Sequence, residues 1–195
     1  KYAVIDFQGD PEASQSDLNN PNRIVREGDR FGYDYEAHVT KVNVWSQATV
    51  KFNRLDFFGG LSTTSTSIYR EGHYKNGLFP DNSLGKSDKL RFSDIGVKAG
   101  ATYKVNGRNY LVASAAYLTR APLFDNVFVS PRTRDVVVDD VTNEKITSVE
   151  GGYTYTSPRL KAKAVFYHSV FSDVIENRSF YLDYGNFKSF INYTL

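Results

Sequence analysis

Apolar and polar residues alternate with period 2 along much of the chain, and helical periodicity is almost absent, so the pattern predicts strands. In "FGYDYEAHV", Phe31, Tyr33, Tyr35, Ala37 and Val39 share one face, while Gly32, Asp34, Glu36 and His38 share the other. The phase slips near Lys41, which predicts a β-bulge there. Beyond it, Val42, Val44, Ser46, Ala48, Val50 and Phe52 alternate with Asn43, Trp45, Gln47, Thr49, Lys51 and Asn53. Further on, Ile95, Val97, Ala99, Ala101 and Tyr103 face away from Asp94, Gly96, Lys98, Gly100 and Thr102. Leu160, Ala162, Ala164 and Phe166 face away from Lys161, Lys163, Val165 and Tyr167. The run "NYLVASAAYL" is small and apolar on both faces, which leaves its orientation open.

The connections sort into two kinds. Three are tight: "NRLD" at 53–56, "VNGR" at 105–108 and "TSPR" at 156–159. Asn106-Gly107 predicts a type I′ turn, which needs positive φ at both central residues. Ser157-Pro158 suits a turn through proline's fixed φ. Between the tight turns lie long polar connections at about 70–91, 121–143 and 173–186, and residues 8–30 form a similar stretch. In an antiparallel meander alternate turns lie at opposite ends, so one end is all tight turns and the other all long loops. That asymmetry predicts an all-β, antiparallel, up-and-down transmembrane β-barrel, present as a partial barrel of about seven strands. Phe52, Phe57 and Phe58 flank the first tight turn, Tyr103 and Tyr110 the second, and Tyr153 and Tyr155 precede the third. Rings at one end of every hairpin are expected to form an interfacial girdle. Lys98, Lys161, Lys163, Asp94, Gln47 and Lys51 would then point into a wet lumen, with the Val/Ala/Leu/Ile set toward lipid.

Composition agrees with this reading at several points. Aromatics are 15% of the 195 residues, with 14 Tyr and 14 Phe against one Trp, an excess suited to pleated surfaces. The net charge of +2 suggests neither a nucleic-acid footprint nor an acidic tail. Mean hydropathy is -0.44, a value typical of soluble proteins. Alternating barrel strands also average to such a value, whereas no run approaches the ~20 apolar residues of a membrane helix. There is no Cys, so neither a disulfide framework nor thiolate chemistry is available. The chain opens on "KYAVIDF" with neither Met nor a signal peptide and ends on "FKSFINYTL", a strand-like run. A fragment of one outer-membrane barrel domain over 1–195 is expected.

The stretches "TRAPLFDNVFVSPRTRD" and "VTNEKITSVEGGYTYTSPRLKAKAVFYHSVFSDVIEN" resemble the C-terminal half of the barrel of TonB-dependent outer-membrane receptors. The elements are Arg120-Ala121-Pro122 before a long loop, Glu144-Lys145 leading to Gly151-Gly152-Tyr153, and Phe166-Tyr167 with Asp173-Val174-Ile175. "SPRTR" is most similar to members with a carboxypeptidase-regulatory-like domain. The resemblance covers about residues 96–195, and the first half fits by architecture. It implies a Gram-negative cell outer membrane and TonB-driven import of a scarce, large solute such as a siderophore, peptide or glycan. The implied partners are outer-membrane lipid, the rest of the barrel and its plug, the TonB complex and the transported solute, with no nucleic acid and no cofactor. Plug and TonB box are missing from the pattern, and about seven strands fall short of the 22 that such transporters have.

On that resemblance, the expected ligand-binding set lies on the extracellular loop at 121–143 and its flanks. It comprises Arg120, Arg132, Arg134, Asp135, Asp139 and Asp140, with Asp125 beside them. Arginine can clamp carboxylate or phosphate with two parallel hydrogen bonds. The competing reading pairs these charges with one another, with lipopolysaccharide or with solvent. No metal site is expected: His38, His73 and His168 lack ligand spacing, and Asp139-Asp140 lies in no EF-hand pattern. No enzyme is expected either. An outer-membrane barrel hydrolase would need a nucleophile or base set at a rim, and only His38 with Asp34 or His168 with Asp173 come near that. A soluble ligand-binding β-barrel is the third alternative. Trp45 among inward polar residues could stack on a sugar or fill the lumen.

Overall fold

The computed structural model describes residues 10–184 and 187–194. It is all-β apart from one turn of helix. Strands β1 (Tyr35–Lys51), β2 (Leu55–Gly72), β4 (Leu90–Lys104), β5 (Asn109–Arg120), β6 (Glu144–Thr156) and β7 (Lys161–Ser172) follow one another across an antiparallel sheet. The two-residue strand β3 (Gly85–Lys86) adds to the end of β2 and completes seven strands. Strands β8 (Asn177–Tyr184) and β9 (Phe187–Thr194) form a separate hairpin ladder. The seven-stranded sheet is not closed, and β1 and β7 are its edges among the described residues. Strands of 12 to 18 residues exceed the usual ~3–10 of globular sheets.

The register explains the sequence pattern. Partners in an antiparallel ladder share a face, so one face runs through Val42, Val44, Val50, Phe57, Leu61, Ile95, Val97, Leu111, Tyr117, Val149, Tyr153, Phe166 and Val170. These side chains are exposed: Val44 and Leu61 are each 64% accessible and Phe166 is 73%. The strand charges on this apolar face are Glu36, Glu71, Arg91 and Lys145, all near the loop-bearing end. On β4 the charge-free stretch runs from Ser93 to Tyr103. At ~3.3 Å per residue and a ~40° tilt, its ten steps make a band ~25 Å tall. The opposite, polar face holds Lys41, Lys51, Asp56, Arg70, Asp94, Lys98, Lys104, Arg120, Glu144, Glu150, Lys161 and Lys163. It therefore includes Gln47 and all five charges expected to point inward.

The tight connections at 52–54, 105–108 and 157–160 lie at one end of the meander, and 73–89 and 121–143 at the other. Four expectations are corrected. No bulge interrupts β1 at Lys41: the pairing with β2 runs without a slip from Tyr35↔Gly72 to Lys51↔Asp56. The phase change is a change in what one face holds, from Glu36 and His38 at the loop end to Val42 and Val44 further down. Asn106-Gly107 forms no type I′ turn, since neither residue has positive φ. Instead Asn106 Oδ1 accepts from the backbone N–H groups of Arg108 and Asn109, at 2.9 Å each. The Asn side chain thus organises a four-residue loop by itself. Segment 173–186 is not one loop: β8 begins at Asn177, leaving four connecting residues, and residues 185–186 lie outside the described residues. Finally, strand parity puts Phe58 and Tyr110 on the polar face, so the ring cluster on the apolar face is Phe57, Tyr103, Tyr153 and Tyr155. "NYLVASAAYL" is oriented with Leu111, Ala113, Ala115 and Tyr117 on the apolar face.

The core is small and sits at the loop end of the polar face. Ile68 and Phe92 of the sheet pack with Ala121, Val127 and Phe128, flanked by Leu90, Phe124, Val137 and Val141. Accessible surface is 13879 Å² for 22.0 kDa. A compact monomer of that mass exposes ~9,300 Å² by the surface–mass scaling. The exposed surface includes the side chains of the apolar face, such as Val44, Leu61 and Phe166.

Candidate functional site

Residues 121–143 fold inward over the polar face. Helix α1 (Phe124–Val127) is followed by a short ladder in which Val129 N donates to Val136 O and Val138 N to Val127 O, both at 2.9 Å. A bridge pairs Phe128 with Val137. The apolar "VFV" and "VVV" runs bury Val127, Phe128 and Val138, and the turn between them carries the charges. In that turn Thr133 N and Arg134 N both donate to Ser130 O at 3.0 Å.

Arg70 ties this cap to the sheet. It is 2% accessible; its Nε donates to Pro131 O at 2.6 Å and its Nη1 to Ser83 O at 2.8 Å. Its guanidinium also lies 5.4 Å from the Tyr35 ring centre. One side chain at the end of β2 thus holds both long connections. Arg70 lies beyond the charge-free band; burial pulls it below the usual arginine range, while Asp135 and Tyr35 act the other way. Burial, followed by Asp125, pushes the neighbouring Tyr35 phenol up.

The residues expected to bind ligand do not converge. Arg120 pairs with Glu144, which is 2% accessible, directly across the β5–β6 ladder. Arg132 lies 5.4 Å over the Tyr33 ring and Arg134 4.6 Å over the Phe79 ring. Arg134 Nε is buried without a hydrogen-bond partner. Asp135 N donates to Asn82 O at 2.8 Å, which links the two connections again. Asp139 and Asp140 are exposed on the far side of the ladder, and Asp140 adopts a left-handed φ of 54°. Asp125, in the first turn of α1, is exposed. Arginines that stack on aromatic rings and grip backbone carbonyls are acting first as the internal frame of the cap.

Reading the sequence missed Arg70, the pairing of Glu144 with Arg120 and the Asp94–Asn143 contact, in which Asn143 Nδ2 donates to Asp94 Oδ1 at 2.7 Å. The Ser/Thr run preceding Arg70 masks its parity, although Ile68-x-Arg70-x-Gly72 does share one face. The fold also gathers histidines that are far apart in the sequence. His38 Nε2 lies 3.4 Å from both Glu36 and Glu71, and His73 Nε2 lies 3.5 Å from Glu36. Among the described residues no group of three His, Cys, Asp or Glu is arranged to hold a metal ion. His168 faces the apolar side opposite Val149, away from Asp173 beyond the strand end. No family model, no curated protein and no solved structure matches the chain.

Proposed function

We propose that the sheet is a wall segment of a transmembrane β-barrel in the outer membrane of a Gram-negative bacterium. The observation that carries this reading is the apolar face: exposed, charge-free over ~25 Å, and backed by a face with twelve charged residues. In water such a face would be a severe aggregation liability. Against acyl chains it is the favourable surface, and a charge placed there costs ~2–4 kcal/mol near the midplane. Tyr103, Tyr153 and Tyr155 near the tight-turn end suit the headgroup level. Unpaired edges at β1 and β7 call for further strands, because lipid cannot satisfy backbone N–H and C=O groups.

The resemblance to TonB-dependent receptors supplies the activity: energised import of a scarce, large solute through the barrel, with no enzymatic step. Tight turns at one end and an ordered, inward-folded loop at the other support that orientation, the long loops lying outside. The test is fractionation of cells expressing the protein, combined with uptake measurements. The expected result is recovery in the outer membrane, release only by detergent, and uptake that stops when the proton-motive force is collapsed. A folded protein recovered without detergent contradicts the barrel, and uptake that survives the collapse contradicts the TonB-driven step.

A further inference from the structure

The polar face contains a trough that no other described residue fills. The register sets Trp45 opposite Ser62, Ser62 opposite Gly96 and Gly96 opposite Leu118. The adjacent row reads Gln47, Gly60, Lys98 and Ala116. Small residues between Trp45 and Leu118 lower the floor and leave an open volume of about 220 Å³. Lys98 lies along it: its Cε is 2.8 Å from where a Cβ on Gly60 would stand. Trp45 forms one wall and is 71% accessible, beside Ser62 and Lys98 on the same face. An indole so placed adds nothing to the core, which lies at the loop end.

Charge decides the kind of occupant. Beyond the cap, the polar face bears Lys41, Lys51, Lys98, Lys161 and Lys163, none in an ion pair among the described residues, against the carboxylates of Glu150 and of Asp94, which accepts from Asn143 Nδ2. Lys104 is neutralised by Asp56 at 2.7 Å. Five cations against two anions leave three positive charges, so the face complements an anion. We infer that the trough binds one ring of an acidic saccharide. The apolar CH face of a pyranose lies on the Trp45 indole, the Lys98 ammonium meets the carboxylate, and Gln47 and Ser62 are placed by register for ring hydroxyls. The volume is below the ~300–1,000 Å³ of pockets that enclose drug-sized ligands, which fits a single ring in a longer chain. This names a solute class for the transporter and rests on that reading.

Trp45 is the only tryptophan of the 195-residue sequence, and the difference in emission between the parent protein and its Trp45→Phe variant reports on this trough. The protein in detergent micelles is titrated with trigalacturonate, with maltotriose as the neutral sugar and citrate as the non-sugar anion. Trigalacturonate is expected to change the emission saturably and to bind at least tenfold tighter than maltotriose, while citrate gives no saturable change. Lys98→Gln is expected to lose about tenfold, ~1.4 kcal/mol, with an unchanged circular-dichroism melt. Should that variant not fold, Trp45→Leu followed by calorimetry is expected to lose at least as much. The inference is overturned by no response to trigalacturonate, equal binding of maltotriose, an equal response to citrate, or affinity unmoved in either variant. Quenching of Trp45 by brominated lipid would instead overturn the assignment of the two faces on which the barrel reading rests, because the polar face would then meet lipid. Quenching by acrylamide without any sugar response leaves that reading standing and removes only the saccharide.

Discussion

Arg70→Met removes the side chain that holds both long connections to the sheet. Two hydrogen bonds from a charged donor, at 2.6 and 2.8 Å, are lost, each of the class that contributes ~1.5–3 kcal/mol. The carbonyls of Pro131 and Ser83 then have to find water or remain unsatisfied. Against that ~3–6 kcal/mol stands the relief of no longer desolvating a guanidinium, which returns part of it and leaves a net loss of ~2–4 kcal/mol. Methionine keeps an unbranched apolar stem, so the loss belongs to the polar head, including its place 5.4 Å over the Tyr35 ring. The effect should be local, because the ladders of β4 to β7 do not involve Arg70. Hydrogen exchange reads it at the amides of Val129 and Val138, whose bonds exist only while the cap is folded. At ~1.4 kcal/mol per factor of ten, their protection should fall ~30-fold or more, while that of the β4–β5 ladder stays unchanged. Arg70→Lys, with one nitrogen for two carbonyls, should give an intermediate loss. If protection in Arg70→Met stays within twofold of the parent, the cap is held by its apolar contacts and the role assigned to Arg70 is wrong.

Three further outcomes follow from the same geometry. A methyl group at Gly72 would stand 1.9 Å from Ser83 O and 2.4 Å from Arg70 Nη1, so Gly72→Ala should destabilise the cap by at least ~1–3 kcal/mol in the same exchange experiment. The Arg120–Glu144 pair should be asymmetric. Arg120→Ala strands a buried carboxylate and should cost ~3–5 kcal/mol, whereas Glu144→Gln keeps an acceptor for the half-exposed Arg120 and should cost less; urea unfolding of both variants checks the order. Leu61→Lys should weaken folding into lipid vesicles by ~2–4 kcal/mol, while Ser62→Lys, one residue along on the polar face, should change it little.

The strands, their faces and the sorting of turns were legible because a period of two survives in single residues such as Val97 beside Lys98. Legibility failed where side-chain chemistry is neutral to the face. The run Ser62 to Ser67 fits either side, and this hid Arg70 on the polar face. It failed again where local chemistry outran a two-residue rule, as when the Asn106 side chain rather than positive φ shaped the 105–108 loop. The slip at Lys41 was real in the sequence but marks a height along the sheet, beyond which the residues on the apolar face become Glu36 and His38. The candidate site was legible only as a charged loop. That its arginines turn inward onto Tyr33, Phe79 and Glu144 depends on contacts 24 to 99 residues apart, between Arg120 and Glu144 and between Arg132 and Tyr33, which no local pattern reports.

The central claim is that one face of this sheet meets acyl chains and the other does not. With Trp45 replaced by Phe, a tryptophan is added at Val44, at Val97, or on the polar face at Ser62, and the emission that each adds over the Trp45→Phe parent is followed as the protein is titrated with lipids brominated along their chains. The account predicts strong quenching from positions 44 and 97 and almost none from 62; equal quenching from all three, or from none, would contradict it.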